Sequence, residues 1–546
     1  MAQRTGKNGT GTVRRARSAV LDSAHIGDIQ GALGTLRLGD EGERRTLRAK
    51  LLALLAIIGP GLIVMVGDND AGGVSTYLQA GQEYGLDLLW TLVLLIPVLI
   101  VNQEMVVRLG AVTGVGHARL IKERFGRFWA AFSVGDLFLL NFLTIVTEFI
   151  GVTLAFQYFG VSRYIAAPIA AVGLFLATAT GTFRSWERTM FVFVVVSLLA
   201  IPLFFLVHPK FGPIVERTFI PHLAAGSSSE VLLIIAVVGT TVAPWQLFFQ
   251  QSNVIDKRIT PRWINYERTD TVVGAFLVVI GAGALVSVSA FGLRHTPAFG
   301  HFVNAEQTAK ALAHHLGSAV GAILSIVLLN ASLIGAGAVT LSTSYAFGDV
   351  FGIHHSLHRT VREAPFFYLS FAGLLLLAMA VVLIPGAPLG LITEAVQALA
   401  GVLLPSATVF LLLLCNDRQV LGPWVNPRWL NWLAGLIVGT LVALSLILVF
   451  ATVFPSANVV SVSEWVFAAV GVALAAIGFL SLRQRGKGEP ADQLSPRERR
   501  NWTMPPVALL EPVRWSATTR AVVIGLRLYL IAAVVLMAVK VAQLSH

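Results

Sequence analysis

The sequence predicts an all-α polytopic membrane protein: two inverted five-helix repeats with spans 1 and 6 discontinuous, followed by two or three extra C-terminal spans. Three observations carry that prediction. The 546-residue chain is 55% hydrophobic and only 13% charged, whereas a soluble globular chain carries about 25% charge. Apolar runs long enough to cross a hydrocarbon core of about 30 Å recur along its length. Two of them, at matching places in the two halves, are interrupted by residues that break helices.

In order, the runs fall near 51–83, 86–109, 128–159, 164–181, 189–207, 230–254, 270–292, 317–346, 366–385, 388–415, 431–454, 463–483 and 521–541. With the N-terminus in the cytoplasm and loops alternating sides, few of the 40 Lys+Arg fall on the far side: Arg163, Lys210, Arg217, Arg294, Lys310 and Lys540. Arg527 lies within the last span. This asymmetry follows the positive-inside rule and suits a cell (plasma or inner) membrane. It also explains the net charge of +11 as topogenic, so no nucleic-acid partner is needed; the partners expected are a cation and the lipid bilayer.

Residues 1–48 lack an apolar h-region and a cleavage site, and read as a disordered, basic cytosolic tail rather than a signal peptide. Residues 49–454 form the core of spans 1–11, 455–483 an additional span, 484–518 a charged cytosolic linker and 519–546 a C-terminal span. The single Cys415 excludes an intramolecular disulfide and a thiolate metal cluster. Neither the tail nor the linker is long enough for a catalytic domain, and nothing points to an enzyme or a bound cofactor.

Span 1 carries GPG at 59–61 and GDNDAGG at 67–73; span 6 reads VLLIIAVVGTTVAPWQLFFQQSNV over 231–254. Pro244 removes a donor and clashes with the preceding turn, so helix geometry should fail just ahead of it. Unwound backbone at membrane depth survives only where it is buried in protein or lines a cavity. The breaks lie at corresponding positions of two five-span halves, and because five is odd the halves run in opposite orientation. An intramembrane carboxylate needs an internal base, a proton or a bound cation. Spans 1, 6 and 10 hold no Arg or Lys near their middles. A cation is therefore the expected partner of Asp70, with freed carbonyls and nearby amide or hydroxyl oxygens completing its shell.

The stretches GPGLIVMVGDNDAGGVSTYLQAGQEYGLDLLW (59–90), RLGAVTG (108–114), VVGTTVAPWQLFFQQS (237–252), ALAHHLGSAVGAILSIVLLNASLIGAG (311–337) and NDRQVLGPWVNPRW (416–429) together resemble the Nramp family of divalent-metal transporters. The resemblance spans about residues 50–450 and implies a LeuT-like fold with alternating access. By position, it implies that the family's metal-binding aspartate is Asp70, that its asparagine ligand has become Gly73, and that its span-6 alanine, methionine, proline and histidine are Thr240, Ala243, Pro244 and Trp245. The span-10 glutamine is Gln397. Losing the methionine removes a soft ligand and leaves hard oxygens. A widened site with Asp70, Asp68, Gln246, Gln397 and the carbonyls of Thr240 and Thr241 would suit hydrated Mg²⁺, a substitution pattern similar to the Nramp-related magnesium transporters. Asp68 either meets hydrated metal or caps the following helix.

The family's proton relay is thinned. Glu148 matches one of its acids, but Ile145 stands where a second is usual, Trp245 replaces the histidine, and 366–385 hold no arginine. Glu148 and Asp136 are then a remnant relay or structural hydrogen-bonders. The expectation is facilitated uptake of Mg²⁺, and Mn²⁺ with it, driven by membrane potential. The alternatives are a proton-coupled Mn²⁺/Fe²⁺ symporter and a sodium-coupled organic-solute carrier on the same fold. The loop histidines His295, His301, His314, His315, His354, His355 and His358 show no zinc-ligand spacing and read as ordinary loop residues.

Overall fold

Glycine and proline place the joints of span 1. In the computed structural model, which describes residues 20–544 except 41, 43, 45, 223–227, 388, 484–493, 512 and 514–515, α1 (Leu47–Ile57) meets α2 (Pro60–Gly67) at 52°. Gly59 makes the turn at φ +152°, a conformation that favours a residue without Cβ. Pro60 opens α2, where a missing N–H costs nothing. Then comes the second break, at 68–70, before α3 (Ala71–Tyr84).

The chain continues through α4 (Leu89–Thr113), α5 (His117–Phe125), α6 (Arg127–Tyr158), α7 (Arg163–Thr178), α8 (Phe183–Ser197), α9 (Ala200–Leu206) and α10 (Phe211–Phe219). Span 6 is split as its proline requires, into α11 (Ser228–Thr241) and α12 (Pro244–Asp256). The second half and its extensions are α13 (Ile264–Leu293), α14 (Ala305–Leu316), α15 (Ser318–Phe351), α16 (Pro365–Leu383), α17 (Leu389–Leu414), α18 (Arg418–Leu421), α19 (Arg428–Val453), α20 (Val459–Arg483), α21 (Pro496–Asn501) and α22 (Ala517–Leu544). Every apolar run in the sequence falls on helix. Among the described residues nine helices are long and apolar enough to cross a membrane, or ten with the bent α1–α2 pair as one span.

Burial separates core from periphery. The apolar window of the α11–α12 span is 72% buried, while that of α20 is 0% buried, at the periphery where it packs on α19 through Leu474 against Gly439. Polar atoms of span 6 must therefore find partners inside the bundle. Small residues bring α6 and α15 into close approach around span 1: a Cβ on Gly151 would meet Ala71 at 2.5 Å, and one on Gly335 would meet Glu148 at 2.7 Å and Asp70 at 2.9 Å.

Two expectations about the flanks need correction. The tail is not disordered throughout: 20–40 fold into a short 3₁₀ turn (Ser23–His25) and a hairpin of β1 (Ile29–Gly31) and β2 (Gly34–Leu36), registered Ile29 with Leu36. Its strands seat on the bundle, a context invisible in local composition. The stretch 495–511 does not hang free as a linker either. Met504 donates its N–H to Val112 O at 3.0 Å and the Arg499 carbonyl accepts from Trp424 Nε1 at 3.0 Å. The last span packs too: Tyr529 and Ser445 hydroxyls meet at 2.6 Å, and the Arg527 guanidinium lies over Trp129 at 5.5 Å, which gives this intramembrane charge a partner.

Candidate functional site

The two breaks face each other at the centre of the bundle. Asp70 is the N-cap of α3: its carboxylate accepts from Gly73 N at 2.7 Å. The capping role that local reasoning offered to Asp68 thus belongs to Asp70, whose extended backbone (φ −70°, ψ −176°) aims its side chain at the helix start. Asp68 instead points across to span 6, where Gln246 Nε2 donates to it. Asn69, between them, turns away and donates to Val278 O on α13 at 3.2 Å.

Gln246 is the hub. Besides Asp68, its amide nitrogen donates to the Thr241 carbonyl at 3.2 Å, and its oxygen accepts from Gln103 on α4 at 3.0 Å. Thr241 Oγ1 lies 2.7 Å from the Tyr77 hydroxyl, which joins α11 to α3. Ala243 is the N-cap residue of α12 and its carbonyl accepts from Gln246 N at 3.2 Å; Thr240 is buried one residue before Thr241. Gln103 and Tyr77 were missed from sequence. The signal for Gln103 was there, an Asn-Gln pair in the apolar run LIVNQEMVV (99–107). Nothing comparable marks Tyr77.

Gly73 lies directly against the site: a Cβ there would meet Asp68 O at 3.0 Å, and Asp70 Oδ1 and Tyr77 Cε2 at 3.4 Å. Gln397 lies on α17, with its side chain outside the described residues.

Glu148, on α6, accepts from Ala71 N at 3.1 Å and touches the Asp70 carboxyl. Two carboxyls in contact require a proton or a cation between them. Asp68 Oδ2 and Glu148 Oε1 are buried without a hydrogen-bond partner, and no Lys or Arg pairs with Asp68, Asp70 or Glu148 among the described residues. Nor do three His, Cys, Asp or Glu side chains converge as a closed metal cage among those residues. Asp136 is elsewhere. It accepts from Ser406 at 2.6 Å and sits twelve residues before Glu148, about 18 Å along the helix at 1.5 Å per residue. Trp245, fully buried, lays its ring against Gly67 at 3.4 Å, measured from a Cβ built there. These two do not form a chain with Glu148.

A cavity of about 310 Å³ opens on the face opposite the N-terminal hairpin, lined by Ser75, Thr76, Gln79 and Glu83 of α3 among others. It descends to Thr76, whose hydroxyl bonds the Gly72 carbonyl at 2.8 Å, six residues and less than two turns beyond Asp70. Asp68 and Asp70 themselves are only 1% and 5% exposed. The arrangement is a buried oxygen-donor site approached by a wide vestibule from one side.

The family model for natural resistance-associated macrophage protein-like (Nramp) proteins matches residues 61–451. The chain belongs to the Nramp family. It is accordingly a multi-pass membrane transporter for divalent metal cations, and no enzyme. Among similar proteins is the divalent metal cation transporter MntH 1 of Pseudomonas aeruginosa, 28% identical over 73% of this chain and 92% of its own length. A manganese transporter of Eremococcus coleocola, solved with an aromatic bis-isothiourea compound, superposes with TM-score 0.60 at 19% identity, covering 82% of this chain and 99% of that one. A Na⁺-coupled sialic acid symporter gives 0.50 at 12% identity, covering 80% and 90%. These structural likenesses establish the LeuT-like fold of this Nramp protein and nothing finer.

Proposed function

We propose that this Nramp protein mediates facilitated uptake of divalent cations by alternating access, with hydrated Mg²⁺ as principal cargo and Mn²⁺ carried as well. Its N-terminus lies in the cytoplasm, as the distribution of basic residues supports, and the membrane potential drives the flux without proton coupling. One observation carries the choice of cargo: the side chains that meet at the two breaks, Asp68, Asp70, Tyr77, Thr241 and Gln246, include no thioether, thiolate or imidazole, so the metal donors they offer are oxygens. Ala243 stands where the family resemblance places methionine, and Met65, the nearest thioether in sequence, packs on Gly274 of α13 instead. Hard oxygen donors favour Mg²⁺, Ca²⁺ or Mn²⁺, and Mg²⁺ keeps several of its waters when held by one or two carboxylates. The names of the manganese transporters similar to this chain support Mn²⁺ as a second cargo.

The drive suffices. At roughly 2.3 kcal/mol per charge per 100 mV, a divalent ion gains about 4.6 kcal/mol, enough for accumulation on the order of a thousandfold. Trp245 in place of an imidazole, and the separation of Asp136 from Glu148, support uncoupled movement. A second reading, proton-coupled Mn²⁺/Fe²⁺ symport, draws on the Glu148–Asp70 contact, which sets a titratable group against the cargo site.

One experiment separates them. Proteoliposomes with the full chain receive Mg²⁺, Mn²⁺, Ca²⁺ and Zn²⁺ in competition, with a lumenal pH dye. Mg²⁺ entry without acidification, lost in Asp70→Ala and shifted toward Zn²⁺ in Ala243→Met, is the expected result. Acidification in step with Mn²⁺ entry would transfer the assignment to the symporter.

A further inference from the structure

On the face opposite the vestibule, the bundle is tied shut by its own N-terminal segment. The Asp22 carboxylate accepts from Arg359 at 2.6 Å and from the His355 N–H at 3.2 Å. The Ala24 and Asp28 carbonyls accept from Arg258 at 2.9 and 3.2 Å. On the hairpin, the Gly31 carbonyl accepts from Arg184 at 3.1 Å and the Ala32 carbonyl from Arg188 at 3.2 Å, while Ala32 N donates to Glu187 at 2.5 Å. Gly31 and Gly34 lie flat on α1: a Cβ on Gly31 would come within 2.1 Å of the Ala56 carbonyl oxygen. One short segment is thus bonded to α8, to Arg258 two residues past α12, to the loop after α15, and packed on α1.

Beneath it lies a clamp. Lys257, just past α12, pairs with Glu187 at 2.6 Å, both with side chains 0% exposed, and donates to the Ile57 and Ile58 carbonyls at 2.6 and 2.9 Å. The hairpin supplies the donor for the other Glu187 oxygen. A buried ion pair is tolerated only when its remaining lone pairs are satisfied, so the hairpin completes this clamp.

We propose that the segment from Asp22 to Leu36 is an autoinhibitory strap, which holds the N-terminal face closed and leaves its seat whenever that face opens. Cargo held at Asp70 reaches that side only if α1–α2 and α12 part from α8 and α15, and a segment anchored on all of them cannot follow them in different directions. A two-stranded hairpin of three residues per strand has no stability of its own in water. Unseating therefore also unfolds it, which makes the strap an order–disorder switch with two discrete states. The inference rests on alternating access by this transporter and not on which cation it carries.

Gly34 and Ala56 supply the test, since a Cβ built on Gly34 lies 3.0 Å from Ala56 Cβ, near the 3.5–4.5 Å of a disulfide. The full chain carrying Gly34→Cys, Ala56→Cys and Cys415→Ser is oxidised, reconstituted and assayed with Mn²⁺. Disulfide formation reports the seated strap without any flux measurement; failure to form it would overturn the proposal. Oxidised protein is expected to lose Mn²⁺ flux and reductant to restore it. Equal flux in both states would overturn the strap, whereas absence of flux in the reduced state counts against the transport assignment and leaves the disulfide yield to judge the strap. A chain lacking residues 1–38 is expected to carry Mn²⁺ several-fold faster; at equal folded yield, a rate no higher than wild type also overturns it.

Discussion

Two clusters of buried carboxyl side chains in this protein, Glu187, Glu267 and Asp270 in one and Asp68, Asp70 and Glu148 in the other, are treated differently. Around the N-terminal face, Glu187 meets the Lys257 ammonium and Asp270 accepts three backbone N–H groups, from Gly59, Gly61 and Leu62 at 2.8–3.2 Å. Glu267 there has no hydrogen bond to either oxygen among the described residues. At the centre, Asp68, Asp70 and Glu148 share one amide and two N–H donors, and no basic side chain approaches them among the described residues. Glu187 and Asp270 thus have their compensation built in, one as a counter-charge and the other as backbone donors. The carboxyls at the breaks lack a counter-charge, which is the condition a transported cation can satisfy and later release.

The sharpest way to break this contrast is Asp70→Asn. It keeps an N-cap acceptor, so flux is expected to fall to background while the melting temperature holds or rises, as when a strained functional group is neutralised. A large loss of stability would show Asp70 to be structural. The mirror-image change is Lys257→Met, which strands Glu187 and should cost about 3–5 kcal/mol. Its fold should be largely recovered by adding Glu187→Leu, read as folded yield and thermal melting in detergent. A smaller effect belongs to Gln103→Ala, which removes the support behind Gln246. Cation affinity should drop about tenfold or more, with the melting temperature little changed, as for other outer-shell partners of metal ligands.

The smallest effect concerns pH. His355, in the loop after α15, is raised to about 9 from its ordinary 6.5: burial opposes its charge, but Asp349 at 3.1 Å, the Ile353 carbonyl and Asp22 favour it. His25, whose ring lies 5.6 Å away, also faces it. With the folded value above the unfolded one, this contact stabilises fully below pH 6.5 and is lost as pH rises through about 9. Melting temperature should fall along that alkaline limb, and His355→Gln should flatten the fall.

Legibility followed sequence distance. The helices, the joints at Gly59 and Pro244, and the pairing of interrupted spans were all readable because they arise from local sterics and apolar length. Asp70, Glu148 and Gln246 stood out as polar groups in apolar runs. Asp68 was ambiguous for a simple reason: two residues from Asp70, only the geometry of the break decides which of them caps α3 and which crosses to Gln246. The tail was misjudged over 20–40 because its glycines are signs of flexibility locally and of close packing against Ala56 in the fold.

By itself, then, the chain's order of residues determined that it spans a membrane, where its helices break, and that carboxylates sit at mid-depth without basic neighbours along the chain. The tertiary structure alone decided that Asp270 seals the start of α2 from more than two hundred positions away, that Gln103 supports Gln246, and that the tail becomes a strap. The physical reason is that hydrogen bonds and charge pairs act over a few ångströms in space. Which polar groups come within that reach is set only when the helices have packed.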